Sequence, residues 1–432
     1  MTVQAEPLTA EAVKPARSGL AVFRPLKSRN FVLVWLGESV SILGDQFHFV
    51  ALSLLVLNLT QSGLALGTVL AVAGIPRAAL MLLGGAVTDR FSPRLIMLYS
   101  NGIRTVLTLL LAGLALTGLL QLWHVYVIVF IFGIVSAFFY PAYSSILPTL
   151  VEKEEIEAGN ALMQITARVA MLVGPVVAGL VVARIQAGAA LGFDALTFAV
   201  ATVALLAMRN TAPAAKVTPS PESIPAESEP QEAPAGLVSA IREALRYAWN
   251  DSLLRTTLIM IALVDFSVAG VFGVGLPTLA DMRYGGAEAL GIMFSGFGAG
   301  SVLGVLLAGS IKFQRRGRLF ILLLVLFTVS VAGMGFAPDV TSLALLTAII
   351  GLGSGIFNVT GISWLQVRTD PKMMGRIMSL LMFSSAGLQP VANTLAGVLV
   401  EYHLTTLFLG AGLLTFLAVL VTAANREFRT LH

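Results

Sequence analysis

One recurrence constrains this chain more than anything else in it. Stretches of about 20 apolar residues, each long enough to cross a bilayer as a helix, return twelve times along the 432 residues. They read 31–58, 64–87, 95–119, 123–149, 160–183, 189–208, 256–280, 289–309, 319–337, 341–364, 377–400 and 404–424. Lipid offers no partner to a backbone N–H or C=O, so runs of this length become helices. Composition agrees: 57% hydrophobic and 12% charged residues leave too little polar surface for a water-soluble fold. The expectation is an all-α membrane protein with twelve transmembrane helices.

Organisation follows from what lies between the runs. Residues 1–30 are polar and mildly basic with no apolar core of a signal peptide, and read as a cytoplasmic tail. Runs one to six form an N-terminal unit, 31–208. Residues 209–235 hold Pro213, Pro219, Pro221, Pro225, Pro230 and Pro234 among glutamates, a composition expected to form a disordered linker. In 236–250, Leu237, Ile241, Leu245 and Ala248 recur at helical spacing, which suits a helix lying on the membrane surface. A second unit spans 251–424, and 425–432 is a short tail. The two units look like copies: Gly133, Ser136 and Phe139 in run four recur at the same spacing as Gly351, Ser354 and Phe357 in run ten. The fold expected is two pseudo-symmetric six-helix bundles. Lysines and arginines crowd the loops on the side of the termini, while the opposite loops carry Arg184 and Arg283. The positive-inside rule then puts both termini in the cytoplasm and explains the net charge of +4 without nucleic acid.

Several chemistries are excluded. The chain has no cysteine, and its four histidines are far apart, so no thiolate site or His-based metal motif is present. No phosphate-binding loop, metalloprotease helix or nucleophile elbow occurs. The chain reads as no enzyme, with no cofactor and no metal.

The strongest local motif joins runs two and three: Gly85-Ala-Val-Thr-Asp89-Arg90-Phe-Ser-Pro-Arg94. It resembles the major facilitator superfamily, whose loop here reads Gly-x-x-x-Asp-Arg-x-Gly-Arg-Arg; Ser92 and Pro93 depart from it. The resemblance implies a cytoplasmic gating motif of Gly85, Asp89, Arg90 and Arg94, and an ordinary charged turn is the alternative. Run five contains Gly174, Pro175 and Gly179, similar to an element of exporters in that superfamily; a packing kink is the alternative. Trp35, Gly44-Asp45, Pro141, Asn160-Ala-Leu, Asp194-Ala-Leu-Thr-Phe and Gly375-Arg376 resemble the macrolide-efflux-like branch of drug:proton antiporters. That branch implies a monomer in the cell membrane that exports an amphipathic small molecule in exchange for protons by alternating access. A siderophore or lysophospholipid transporter, an importer of the same fold and a non-transporting sensor stay open.

Ionisable residues inside a span cost roughly 2.5–3.5 kcal/mol each to insert, which makes each a functional candidate. Run one carries Glu38, Ser41, Asp45 and His48 on one arc, because steps of three and four return to the same helical face. Arg77, Arg104 and Arg168 lie in runs two, three and five. With two acids and three arginines in the N-terminal half, Glu38 and Asp45 are expected to be neutralised by arginines. Asp265, the single ionisable group inside the C-terminal half, is then the leading candidate for binding a proton or recognising a cation; the alternatives are a carboxylate that faces a wet cavity and stays charged, or one that pairs with an N-half arginine. Gln164, on a stripe with Asn160 and Arg168, and Ser354, Asn358, Gln389 and Asn393 are candidate cavity-lining polar residues. The site is expected between the halves near the midplane. Aromatic residues including Phe294 and Phe297 either line an apolar pocket or face neighbours. Gly296, Gly300 and Gly304, spaced by four, suit close helix packing.

Overall fold

The computed structural model describes residues 19–209, 246–311, 315–369, 373, 377, 380, 381, 385 and 387–431. Helices α1 (Arg29–Thr60), α2 (Gly63–Arg90), α3 (Pro93–Leu116) and α4 (Leu122–Ser145) follow one another through short turns. The stretch Ile156–Leu206 turns at Gln186, whose φ of 70° and ψ of 156° are not helical, so it is two helices, α5 (156–185) and α6 (187–206). The second half has α7 (Ser252–Arg283), α8 (Ala287–Ser310), α9 (Arg316–Met334), α10 (Val340–Arg368), α11 (Gln389–Tyr402) and α12 (Leu404–Ala424). Ten segments of the described residues are long and apolar enough to cross a membrane. Dividing the one that bends at Gln186, and adding α11, yields twelve helices.

Local chemistry sets where these helices begin and turn. Ser28, Ser62, Asp251 and Asp339 each accept backbone N–H bonds at a helix start, satisfying donors that have no partner inside the helix. Asp251 also pairs with Arg368 at 3.0 Å. Partial burial opposes its ionisation, but the N–H groups of Leu254 and Leu253 and the Arg368 guanidinium outweigh that and hold its carboxyl below the usual range. Gly285 and Gly286, at φ 84° and 77°, make the tight reversal between α7 and α8, a backbone that only glycine adopts freely. α7 carries a π-turn at Val271–Gly275.

Close packing within each half repeats. In the first, Gly133 of α4 sits against the Ala73 carbonyl of α2, and Gly84 of α2 against that of Ala137. In the second, Gly351 of α10 sits against the Phe297 carbonyl of α8, while Gly296, Gly300 and Gly304 of α8 meet the carbonyls of Ala344, Ala348 and Leu352. Gly133 and Gly351 therefore do the same work in the two copies: each removes a side chain where two backbones touch.

Both tails carry a short helix. Gly19–Lys27 forms a 3-10 helix, with Val22 and Leu26 packed against a cluster that contains Phe31 and Leu147. Beyond α12, a short helix α13 (Arg426–Arg429) buries Phe428 and Leu431 against Phe320 and Leu324. The reason is apolar content: each tail carries hydrophobic side chains at a spacing that one helical turn presents to the bundle. Of the expected linker only Arg209 is described, and of the surface helix only 246–250, which are helical; the rest lies outside the described residues, as do most of 370–386.

Candidate functional site

The ionisable residues of the first half converge inside its own bundle. Glu38 is 2% exposed, and its Oε1 accepts a 2.9 Å bond from Asn101 of α3. One turn along α3, Arg104 is also 2% exposed. It donates to the Ser136 hydroxyl at 3.0 Å and lies 4.0 Å from the Phe139 ring centre, with Phe132 and Phe198 further round it. The hydrogen bond and the aromatic faces offset part of the desolvation of the guanidinium, whose Nε has no hydrogen-bond partner among the described residues. The charge of Arg104 acts on Glu38, Asp45 and Asp194. His48 Nδ1 and Asp194 Oδ2 are 2.9 Å apart, and the imidazole stacks on Phe132. Asp45 lies among Arg104, Asp194 and His48.

Asp194 is the member of this cluster that sequence reasoning passed over, treating it only as part of a family motif. It is 0% exposed and lies in an expected span, so the insertion-cost argument applied to Glu38 would have singled it out as well. Its approach depends on Gly44: a Cβ there would stand 2.6 Å from Asp194 Oδ1 and 2.9 Å from Thr197 Cβ. The glycine lets α6 lie directly on α1.

The expected sharing of the acids among three arginines does not occur. Arg77 donates a 2.8 Å bond to Gln389 of α11, across the junction of the halves. Arg168 is exposed with Gln164 and Asn160. Of the three, Arg104 is the one whose charge acts on the acid cluster. The acids accordingly lie within the first bundle rather than along the junction.

The junction itself consists of two seams. In one, α5 meets α8: Gly179 abuts the Ala287 carbonyl, Gly291 abuts the Pro175 carbonyl, and Gly298 leaves 2.9 Å between an added Cβ and Leu172 Cα. In the other, α2 meets α11: Gly67 faces the Asn393 carbonyl, and Gly397 faces Leu64. Pro175 and Gly179 of the exporter-like element thus belong to a seam, whereas Gly174 packs on Gln46 of α1. Asn393, 4% exposed, is wedged beside Gly67 and Gly273 and lines no open space. Phe49 of α1 meets Phe294 of α8 at 5.4 Å, with Phe272 and Phe297 behind; these aromatics face neighbours.

Both seams sit at the end of the bundle away from the termini. The stripe of α5 that packs on α8 at Leu172, Pro175 and Gly179 continues to Arg168, Gln164 and Asn160 by helical steps, and these three are exposed. The halves diverge there, so the cleft opens toward the terminus-bearing end. Glu401, at the end of α11, locks the closed side: its Oε1 accepts from the Ser62 hydroxyl at 2.5 Å and the Leu64 N–H at 3.2 Å, an acid from one half capping a helix of the other. Glu401→Ala is expected to shift the balance toward the opposite opening by about 0.5–2 kcal/mol, the usual worth of a cap. Labelling of a single cysteine at Leu64, in a chain with no native cysteine, measures it; equal labelling rates refute the lock.

The second half has a cavity of its own, about 260 Å3, bounded by α7, α9, α10 and the approach to α11. Asp265, Ser354 and Asn358 all line it, and the Ser385 hydroxyl donates to Asp265 Oδ2. Of the gating motif, Gly85 has open space around it, Arg90 is exposed, and the Asp89 side chain lies outside the described residues. Arg94 donates to the carbonyls of Leu205, Leu206 and Met208. It thereby clamps the last turn of α6, whose carbonyls lack helical partners, within its own half. Among the described residues no group of His, Asp or Glu is arranged to hold a metal ion.

Two helical bundles that touch along glycine seams at one end and part at the other, with charged groups buried in the spans, define a multi-span membrane transporter. Residues 20–431 match the family model of transmembrane secretion effectors of the major facilitator superfamily, and the chain belongs to that family. It is similar to macrolide efflux protein A of Streptococcus pyogenes, 21% identical, over 93% of this chain and 97% of that one. It is also similar to the enterobactin exporter EntS of Shigella boydii, 23% identical, over 81% of this chain and 80% of that one. The fold matches the crystal structure of the nucleoside transporter NupG with a TM-score of 0.71 and 13% identity, over 91% of this chain and 98% of that one. Relatives and structural neighbours alike are transporters rather than enzymes.

Proposed function

We propose that this transporter exports amphipathic or lipophilic small molecules across the plasma membrane in exchange for protons. It works as a monomer, with both termini and the open end of the cleft in the cytoplasm. The observation that carries the proton part is the charge balance of the first-half cluster. The charge of one permanent cation, Arg104, acts on three carboxyls, Glu38, Asp45 and Asp194, and the imidazole of His48 lies 2.9 Å from the last. With every group ionised the acids still outnumber the cations, and an excess negative charge inside a bilayer is costly. Protons bound by the cluster remove that charge. The groups facing it from each packed helix are Glu38, Asp45 and His48 from α1, Asn101 and Arg104 from α3, and Asp194 from α6; Tyr143 of α4 adjoins Glu38. A cluster that must gain or lose protons when its packing changes couples proton binding to the rocking of the halves.

Export of a macrolide-like compound is supported by the likeness to macrolide efflux protein A. The likeness to the enterobactin exporter favours a second reading, a catecholate siderophore as cargo. In proteoliposomes with an imposed pH gradient, uptake of erythromycin is expected to exceed uptake without the gradient at least several-fold. Asp194→Asn should abolish the gradient-driven part while sparing exchange of labelled for unlabelled compound. Gradient-independent transport in the wild type would refute proton coupling, and uptake of a catecholate in place of the macrolide would move the assignment to the second reading.

A further inference from the structure

The two copies of the bundle use the same motif differently. In the first, Ser136 and Phe139 hold a guanidinium: Arg104 donates to the Ser136 hydroxyl at 3.0 Å and lies 4.0 Å from the Phe139 ring centre. Its charge acts on the carboxyls of Glu38 and Asp45 of α1. In the second, Ser354 and Phe357 occupy the matching places on α10, and a carboxyl, Asp265, comes from α7, the counterpart of α1. Phe320 of α9 meets Phe357 edge to face at 5.3 Å. Helix α9, the counterpart of α3, has no lysine or arginine beyond Arg318. Where the first copy has its guanidinium, the second has the cavity of about 260 Å3, lined by Asp265, Ser354, Phe357 and Phe320. Asn358 and Ser385, both exposed, stand at its mouth.

We propose that this cavity is a substrate subsite for an organic cation, and that the charged head of the transported molecule takes the place that Arg104 fills in the other half. The inference deepens the export reading above and rests on it. Three features argue for a cation. Among the described residues the lining holds a carboxylate with a hydroxyl donor and no basic side chain, so a monovalent cation completes the charge. Phe320, Phe327 and Phe357 line it, and aromatic rings attract an ammonium or amidinium by its charge. The volume lies below the roughly 300–1,000 Å3 of a site that encloses a whole drug-sized ligand. It therefore suits a cationic head group, with the apolar remainder left outside the mouth.

The test is equilibrium binding to the purified full chain in nanodiscs, with no gradient. The probe is labelled benzyltrimethylammonium, and the competitor is its uncharged isostere neopentylbenzene. The wild type is expected to bind the cation saturably, with no competition from the isostere. Asp265→Asn should weaken binding about tenfold or more, the loss expected when an ion pair is removed from a desolvated site. Gly353→Leu keeps the carboxylate but fills the cavity, and should weaken binding to a similar degree; thermal unfolding of each variant checks its fold. No saturable binding to the wild type, equal competition by the isostere, or binding insensitive to both substitutions overturns the proposal. Cation binding that behaves as expected beside gradient-independent transport would overturn the proton-coupled reading and leave this one standing.

Discussion

Leucine at Gly291 is expected to abolish transport and to hold the protein open at the end away from its termini. A Cβ on Gly291 would run into the Pro175 carbonyl and stand 3.2 Å from Gly179 Cα. Both obstacles are backbone, so no side-chain rotation makes room, and α5 and α8 must part. Overpacking of this kind costs typically about 1–3 kcal/mol, and each 1.4 kcal/mol shifts a two-state equilibrium about tenfold. The cost falls only on the state with this seam closed, so the substitution acts as a ligand for the other state. A single cysteine at Leu70, near the other seam, should react with an impermeant maleimide about ten times faster or more, while Gly291→Ala has a smaller effect. Unchanged labelling in the leucine variant would mean that the α5–α8 seam is not the element that opens.

Removing the charge of Arg104 should be the most destabilising single change in the first half. Arg104→Met keeps the length and the packing against Phe139 but removes from Glu38, Asp45 and Asp194 the permanent positive charge that acts on all three. Leaving buried carboxylates without a compensating charge costs on the order of a few kcal/mol. The sign of the pH dependence follows from charge. Acid supplies the protons that neutralise the uncompensated carboxylates, so the loss should be largest in alkali and shrink as the pH falls. Thermal unfolding of the solubilised protein at about pH 8 and about pH 5.5 measures this. A loss of equal size at both would show that Arg104 contributes through packing alone. Leucine at Gly291 spares this cluster, so the two variants separate the seam from the charge site.

Much of the fold was legible because lipid leaves few choices. The apolar runs, the repeat of Gly133, Ser136 and Phe139 at Gly351, Ser354 and Phe357, and the loop around Arg90 pointed to the family before any coordinate was known. The glycines of α8 were read as packing residues and do pack on α10. The partners of the buried charges were not legible. Arg77, Arg104 and Arg168 looked alike in sequence, yet one bonds Gln389 across the junction, one enters the acid cluster and one is exposed. Asn393 looked like a cavity residue and is wedged into a seam. Asp194 met the criterion for a buried functional acid, but the proximity of His48 arises from α6 lying on Gly44, and no local pattern displays that.

By itself the amino-acid sequence determined that this chain crosses a membrane many times, in two related halves, and carries charge where charge is costly. Those properties depend on the length, polarity and spacing of residues along each helix, because an unpaired backbone group cannot be left in lipid. Only the tertiary structure decided which charges meet, which end of the cleft is shut, and that the second half keeps a cavity where the first has a guanidinium. Those outcomes depend on how each helix is rotated and how closely glycine lets it approach its neighbour, and these are properties of pairs of helices rather than of any one of them.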